Sequence, residues 1–336
     1  MYYLCVIKGD GIGPEVISQS LLLLEEIDCK FNITEVLAGY QCYLDHGTPL
    51  PDETVKKSKQ ADAILFGAVT TPPNIENYFS PIVRLRKLLD LYANVRPFFS
   101  LPISVSRKNI NFVIVRENTE DLYIGREKLT KIGAEAVRII TRKACERIIR
   151  FAFELSIKQK RKKITVVHKA NILRLTDGLF IKVAEEVHRI YPKIEMDYML
   201  VDSCTLNLVR KPEIFDVIVT TNMFGDILSD EAAGLVGGLG IAASANLGNH
   251  RALFEPVHGS APKYQGKNTV NPLATFFSVC FMLDYLGEAE KSRVLKEAIF
   301  DVIKKRTVTA DLGGQAKTSE VTKAVIKSYR NIYDHH

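Results

Sequence analysis

The chain has 336 residues, of which 46% are hydrophobic and 25% charged, and its formal net charge is +6 at pH 7. This length exceeds what one hydrophobic core usually serves, so we expect two lobes, and the composition excludes a mainly disordered chain. No run of about twenty apolar residues is present, and the N-terminus lacks the basic region of a signal peptide. We therefore expect a cytoplasmic protein with no membrane partner.

Apolar runs of strand length alternate with helical patterns, which predicts an α/β fold with a parallel or mixed sheet covered by helices. No low-complexity linker separates the lobes, so we expect a ligand-binding cleft between them. In chain order the predicted elements are strand 2–7, helix 15–27, strands 33–37, 63–66 and 112–115, helix 141–158, strand 164–167, helix 177–190, strands 196–201 and 217–220, and helices 272–286, 291–304 and 319–332.

The loop Lys8–Glu15 joins the first strand to the first helix through three glycines. It does not match the dinucleotide-binding fingerprint, because the third glycine comes too early and no acid follows at the required distance. We interpret it as a turn whose backbone passes close to another segment. The basic run 158–163 is interpreted as a solvated helix end, so no nucleic-acid partner is expected.

Two aspartates, Asp226 and Asp230, stand four residues apart at the start of a predicted helix that follows strand 217–220. This spacing places both carboxylates on one helix face, where oxygen ligands suit Mg²⁺ or Mn²⁺. The alternative is that both acids only complement the positive end of the helix dipole. The pattern by itself leaves both interpretations open.

Other polar side chains follow buried strands or lie beside expected clefts. Arg86, Arg96 and Arg116 could bind carboxylates bidentately, although surface ion pairs are the alternative for each. Lys169 ends the strand 164–167 and could act as a base, or could be an ordinary strand-end lysine. The loop after residue 254 is rich in small residues, and Lys263 and Tyr264 there suit a phosphate beside an adenine, unless they belong to a plain surface loop.

Six segments together resemble the β-decarboxylating dehydrogenases, namely the isocitrate, 3-isopropylmalate and homoisocitrate dehydrogenases. The resemblance covers essentially the whole chain and rests on Gly9–Glu15, Leu91–Pro97, Val115–Glu120, His168–Asn171, Asn222–Asp230 and Glu255–Pro262. It implies the two-domain isopropylmalate/isocitrate dehydrogenase-like fold with a shared mixed sheet, distinct from the Rossmann fold. The implied first domain combines residues 1–98 and 250–336, on the cofactor side, and the second is 99–249. It also implies a homodimer or dimer-based oligomer in which Lys169 and Asp202 reach the partner's site.

The resemblance further implies the residues of the site. Tyr123 and Lys169 would be the catalytic acid and base. The metal ligands for Mg²⁺ or Mn²⁺ would be Asp202, Asp226 and Asp230. The substrate would meet Ser80, Val83, Arg86, Arg96, Arg116, Tyr123 and Asn171. The nucleotide would meet Thr70, His258, Gly259, Ser260, Ala261, Lys263, Tyr264 and Asn271.

The implied reaction is NAD(P)-dependent oxidation of a 2-hydroxy acid with loss of its 3-carboxylate. Residues 66–96 and 234–240 are most similar to the homoisocitrate dehydrogenases, so we expect homoisocitrate to give 2-oxoadipate, as in lysine biosynthesis, with isocitrate as a possible second substrate. The alternatives are 3-isopropylmalate or isocitrate as the main substrate, or a noncatalytic regulatory subunit. Lys263 and Tyr264 favour NADP. The other phosphate contacts of NADP-linked relatives would fall at Ala310 and Gly314, which cannot supply them, so NAD stays possible.

Overall fold

The computed structural model describes residues 1–73, 75 and 78–334. Its twelve described strands are β1 (Tyr2–Gly9), β2 (Phe31–Val36), β3 (Ala63–Ala68), β4 (Ala93–Phe99), β5 (Asn111–Glu117), β6 (Glu127–Thr130), β7 (Gly133–Ala136), β8 (Lys163–His168), β9 (Glu195–Leu200), β10 (Val217–Thr220), β11 (Ala243–Leu247) and β12 (Ala252–Pro256). Its described α-helices are α1 (Gly13–Glu25), α2 (Tyr40–His46), α3 (Asp52–Gln60), α4 (Pro81–Leu88), α5 (Arg142–Lys158), α6 (Thr176–His188), α7 (Val201–Arg210), α8 (Asn222–Val236), α9 (Leu273–Tyr285), α10 (Ala289–Lys304) and α11 (Thr318–Tyr333).

One sheet of ten of these strands carries the fold, in the order β2-β1-β3-β12-β11-β4-β5-β10-β8-β9. The outer strands pair in parallel, whereas β11 is antiparallel to both β12 and β4, and β4 is antiparallel to β5. The sheet is therefore mixed. The short β6–β7 hairpin stands apart from it.

The core lies on both faces of this sheet. Helix α9 has a central position and is buried along most of its length, which explains why its sequence is apolar on nearly every side. A second cluster packs α4 against β1 and β3, with Leu85 and Phe66 almost fully buried. Because one sheet contains strands of both predicted domains, the domain boundaries at 98/99 and 249/250 stay predictions. The helices of the described ranges are too short or too polar to cross a bilayer.

Most predicted elements are confirmed to within a few residues, including strand Val217–Thr220 and helix α5. Strand β4 was missed because its polar residues alternate with apolar ones and Pro97 interrupts the pattern. Proline is tolerated there because β11 pairs with β4 only as far as Val95, so no ladder bond to that neighbour is lost. Strands β11 and β12, the β6–β7 hairpin and helices α2, α3, α4 and α7 were also missed.

Candidate active site

Three buried arginines converge where β4, β5 and the helices α4 and α8 meet. Arg86, Arg96 and Arg116 are 7%, 4% and 1% exposed. Burial, reinforced by the positive charge of the neighbouring Arg96, lowers the pKa of Arg116 to about 10. Burial also lowers the pKa of Arg96. Such a concentration of desolvated positive charge is expected where a multiply charged anion binds.

Asp226 lies at the centre of these charges. It forms ion pairs with Arg116 and, at 3.4 Å, with Arg96, and it accepts a hydrogen bond from the Tyr123 hydroxyl. Burial alone would raise the pKa of Asp226, but the two guanidinium groups lower it. Gly225 is required here, because a Cβ at that position would lie 2.6 Å from Cγ of Arg116.

Asp226 and Asp230 both belong to α8, one helical turn apart, as predicted. Asp226 is the fifth residue of α8, beyond the first turn, so complementing the helix dipole does not account for it. Burial raises the pKa of Asp230, whose side chain is 58% exposed and lies 3.8 Å from Arg96. Their oxygen donors fit a hard divalent cation.

Lys169 follows β8 directly and its ammonium group donates to Asp202 at 2.5 Å. This hydrogen bond lowers the pKa of the Asp202 carboxyl. Within one protomer, the described residues contain no group of three acidic, histidine or cysteine side chains that could hold a metal ion. Asp202 therefore does not complete a three-aspartate cluster with Asp226 and Asp230 of the same chain.

A buried chain of hydrogen bonds connects Arg96 to Arg86. Arg96 Nε donates to Asn94 at 2.8 Å, Asn94 donates to Asn246 at 2.7 Å, and Asn246 donates to Glu255 at 2.8 Å. Glu255 in turn accepts from Arg86 at 2.7 Å. The two amides and the carboxylate thus fix both guanidinium groups. Arg86 Nε remains buried and has no hydrogen-bond partner among the described residues, so its N–H is available to donate to a ligand.

Helix α4 carries Arg86 on the same face as two other predicted substrate contacts. Ser80 precedes the helix, and Ser80, Val83 and Arg86 succeed one another at three-residue intervals, so their side chains share one face. Arg84 lies outside that face, exposed, with its guanidinium carbon 5.5 Å from the centre of the Phe79 ring. Asn171 is exposed in the loop that follows Lys169.

The predicted nucleotide residues form a second group, on the β1–β3–β12 side of the sheet. The Thr70 and Ser260 hydroxyls are 2.7 Å apart, and the backbone of Ile12 donates to Ser260 O at 2.8 Å. Ala261 has a positive φ of 35°, which bends the loop sharply. His258 Nε2 is buried and has no hydrogen-bond partner among the residues described. Burial lowers the pKa of this imidazole, so the ring is neutral.

The rest of the nucleotide group is more open. Gly259, Lys263 and Tyr264 are exposed, and the Lys263 ammonium lies 5.0 Å from the centre of the Tyr264 ring. Asn271 is buried and donates to Asp311 at 2.9 Å. This arrangement leaves a cation and an aromatic ring available at the edge of a glycine-rich loop, as a nucleotide phosphate and base require.

Sequence reasoning missed four polar residues of this region. Asn94, Asn246 and Glu255 are buried in strands, and the Asp10 carboxylate accepts a hydrogen bond from the backbone N–H of Thr70. A polar residue inside an otherwise apolar strand could have indicated the first three, because such a residue needs a partner.

Comparison with known proteins identifies the family. The model of the isocitrate/isopropylmalate dehydrogenase family matches residues 3–325. The chain belongs to this family. It is 51% identical to a homoisocitrate dehydrogenase of Methanocaldococcus jannaschii, over 98% of both chains, and 46% identical to an isocitrate/homoisocitrate dehydrogenase of Thermus thermophilus, over 98% of this chain and 99% of the other.

The crystal structure of isocitrate dehydrogenase from Methylococcus capsulatus superposes with a TM-score of 0.96 at 42% identity, over 98% of this chain and 100% of the other. The predicted resemblance and the predicted family fold are thereby confirmed. The chain is a β-decarboxylating dehydrogenase, from a family that depends on NAD(P) and on a divalent metal ion.

Proposed function

We propose that the protein oxidises homoisocitrate at carbon 2 and removes the adjacent 3-carboxylate as carbon dioxide, giving 2-oxoadipate. The observation that carries this proposal is the convergence of Arg86, Arg96 and Arg116 beside Tyr123 and Asp226. The two relatives described above, both named for homoisocitrate, support the same substrate.

The arginines hold and orient the substrate's carboxylates. Guanidinium forks match carboxylates in geometry, and burial strengthens the attraction. Arg86 offers its Nε, which has no partner among the described residues, while Glu255 holds its Nη2 in place. The Asp226 carboxylate forms ion pairs with the guanidinium groups of Arg96 and Arg116. An incoming carboxylate takes over those guanidinium donors, which frees the Asp226 oxygens for a cation.

Lys169 and Tyr123 handle the protons. We assign Lys169 as the base that takes the hydroxyl proton at carbon 2, helped by water or Asp202. Tyr123 is the acid that returns a proton to carbon 3 after decarboxylation. Burial, with the hydrogen bond to Asp226, raises the pKa of Tyr123 against the opposing effect of Arg116, so the phenol keeps its proton until it is needed.

Asp226 and Asp230 of one protomer, with Asp202 of the other, would hold Mg²⁺ or Mn²⁺. When bound, the cation supplies Lewis acidity at the carbon 2 oxygen, and NAD(P) accepts the hydride. Two observations support a second copy of the chain as the source of Lys169 and Asp202. The three aspartates do not cluster within one protomer, and the segments around the two residues expose large apolar side chains, namely Ile172, Leu175, Leu206 and Val209, as do the β6–β7 hairpin residues Leu129 and Ile132.

The substrate tail lies along the α4 face formed by Ser80, Val83 and Arg86. Val83 packs against the methylenes, and the Ser80 hydroxyl donates to the distal carboxylate. The apolar side chains of Ile82 and Val83 would also suit an isopropyl tail, but Ile82 packs against the core that surrounds Leu85. Homoisocitrate has one more methylene than isocitrate and also ends in a carboxylate. Its tail therefore fits the apolar contact of Val83 and the polar contact of Ser80.

We propose NADP as the preferred nucleotide. Lys263 is an exposed cation, placed where an acid would repel a 2′-phosphate. Thr70, Ser260, His258 and Asn271 would hold the remainder of the nucleotide, with Gly259 and Ala261 permitting close approach. Lys263→Asp should lower the preference for NADP over NAD by about tenfold or more, as expected for the loss of one charge-assisted hydrogen bond.

A panel of kinetic measurements tests the proposal. Purified protein with Mg²⁺ or Mn²⁺ is assayed with homoisocitrate, isocitrate and 3-isopropylmalate against NADP and NAD. We expect the highest kcat/KM for homoisocitrate with NADP, and no turnover after removal of the metal with EDTA. A clear preference for 3-isopropylmalate would reject the substrate, a lower KM for NAD would reject the nucleotide, and inactivity on all three acids would favour a noncatalytic subunit.

A further inference from the structure

One guanidinium lies between the segments that carry the proposed acid and base. Arg138 precedes α5, and its side chain is 11% exposed. It donates to Asp121 from Nε at 2.6 Å and from Nη2 at 3.3 Å. Nη1 donates to Thr176 at 2.9 Å and to Asp177, and Nη2 donates to Thr221 at 3.0 Å. These five bonds use all five N–H donors of the guanidinium.

On one side Arg138 fixes the turn that presents Tyr123. Asp121 is fully buried and also accepts from the backbone of Leu122 at 2.9 Å, where the 3₁₀ turn Leu122–Ile124 begins. Its φ is +72°, a region that a residue other than glycine occupies only when its surroundings hold it there. The Arg138–Asp121 pair is such a restraint, one residue away from the turn.

On the other side Arg138 fixes the loop that presents Lys169. Asp177 is fully buried, and its second oxygen accepts from the backbone N–H of Lys169 at 2.6 Å. The third contact, Thr221, directly precedes α8, which carries Asp226. One side chain therefore joins the supports of the acid, the base and the metal-binding helix. The surface ion pair between Arg142 of α5 and Glu186 of α6 makes no such connection.

We propose that Arg138 is a positioning residue that sets Tyr123 and Lys169 in their working orientations. The inference rests on the proposed function, because it assumes that these two residues handle protons. Since Lys169 is proposed to serve the partner's site, Arg138 would join the acid of one active site to the base of the other. No substrate or nucleotide contact is assigned to Arg138 itself, so its loss should lower kcat and leave KM nearly unchanged.

Arg138→Lys tests this role, because lysine keeps the charge between two buried carboxylates but cannot reach five acceptors. We expect kcat to fall about 100-fold, as misplacement of a reacting group by about 1 Å can cost, with KM for substrate and nucleotide within about threefold. Arg142→Lys is the matched control and should keep wild-type kcat. Circular dichroism and thermal unfolding establish that each variant is folded.

Double-mutant cycles separate positioning from general damage. In the Lys169→Ala or the Tyr123→Phe background, Arg138→Lys should cost only about 10-fold, because one of its two targets is already gone. Thr176→Val removes the hydrogen bond that Thr176 accepts from Arg138 and the longer one, 3.4 Å, that it donates to Asp177. Both lie on the Lys169 side, and the Arg138–Asp121 pair stays intact. The few-fold loss in kcat of this variant should therefore disappear in the Lys169→Ala background and persist in the Tyr123→Phe background.

The outcomes distinguish the two hypotheses. An equal loss from Arg138→Lys in all backgrounds, a loss confined to KM, or no loss at all would overturn the positioning role. Wild-type turnover by Lys169→Ala would instead reject the proposed function. If Arg138→Lys does not fold, Thr176→Val alone decides the matter, through the same pair of backgrounds.

Discussion

Asp10 is expected to stabilise the proposed nucleotide side of the site, so its replacement should affect both stability and nucleotide binding. Its carboxylate is 8% exposed and accepts three backbone N–H groups, those of Tyr40 at 2.7 Å, Gln41 at 2.9 Å and Thr70 at 2.8 Å. Tyr40 and Gln41 begin α2, whose N-cap position is a glycine without a side chain. Asp10 therefore caps α2 from a distant part of the chain and ties it to Thr70.

Asp10→Ala leaves these three N–H groups without their charged partner. Each loss costs about 1–3 kcal/mol when the group stays buried, and neighbouring losses are not additive. We therefore expect the free energy of unfolding to fall by about 3–5 kcal/mol. KM for NADP should also rise about tenfold, because a Thr70 backbone that is no longer held loses its orientation.

Urea unfolding followed by circular dichroism, together with NADP saturation kinetics, measures both effects. The matched control is Asp62→Ala, because the exposed Asp62 carboxylate accepts a single backbone N–H, that of Tyr3 at 2.7 Å. The control should cost about 1 kcal/mol or less and leave KM for NADP unchanged. A loss within about 1 kcal/mol for Asp10→Ala, with KM unaltered, would refute the reasoning.

Three further predictions follow from the structure. Asn246→Leu removes the centre of the hydrogen-bond chain between Arg96 and Arg86, so KM for homoisocitrate should rise at least about tenfold while KM for NADP stays constant, and equal KM values for wild type and variant would contradict it. Burial lowers the pKa of His168 below its ordinary value of 6.5, so the unfolded chain binds the extra proton first and stability falls as the pH drops from 6.5 toward the folded pKa. His168→Asn should flatten that slope in urea titrations, and an unchanged slope would count against it. Ile132→Glu places a charge on a side chain that is 99% exposed in the protomer and is proposed to meet a second copy. Light scattering should show dissociation of the dimer, and the kinetic assay a loss of turnover, for this variant but not for Leu22→Glu, whose side chain is exposed on α1. An intact, active dimer of Ile132→Glu would exclude this contact.

The sequence predicted those parts of the fold and site that local patterns encode. Spacing alone placed Asp226 and Asp230 on one helix face, and the end of an apolar strand placed Lys169 in a loop. The strands buried on both faces, such as Val217–Thr220, were found because a parallel sheet gives a continuous apolar run. The motif segments then supplied the family, which comparison confirmed.

The parts that were missed depend on contacts between distant segments. Arg138 looks like any charged residue near a helix start, and its value comes from Asp121, Asp177 and Thr221, which lie 17 to 83 positions away. Asn246 interrupts the apolar pattern of β11, and its amide bonds to Asn94 on β4 and Glu255 on β12. The local pattern of polar and apolar residues does not indicate such partners, because they lie far apart in the sequence and meet only in the folded sheet.

A subunit-complementation experiment tests most directly the claim that each active site is built by two protomers. Lys169→Ala and Asp226→Asn variants, each inactive alone, are mixed under conditions that exchange subunits. In a mixed dimer, one site receives Asp226 from the first variant and Lys169 from the second, so activity should return to about a quarter of wild type at equal mixing. Absence of recovery, with mixed dimers demonstrated by mass spectrometry, would contradict the shared site.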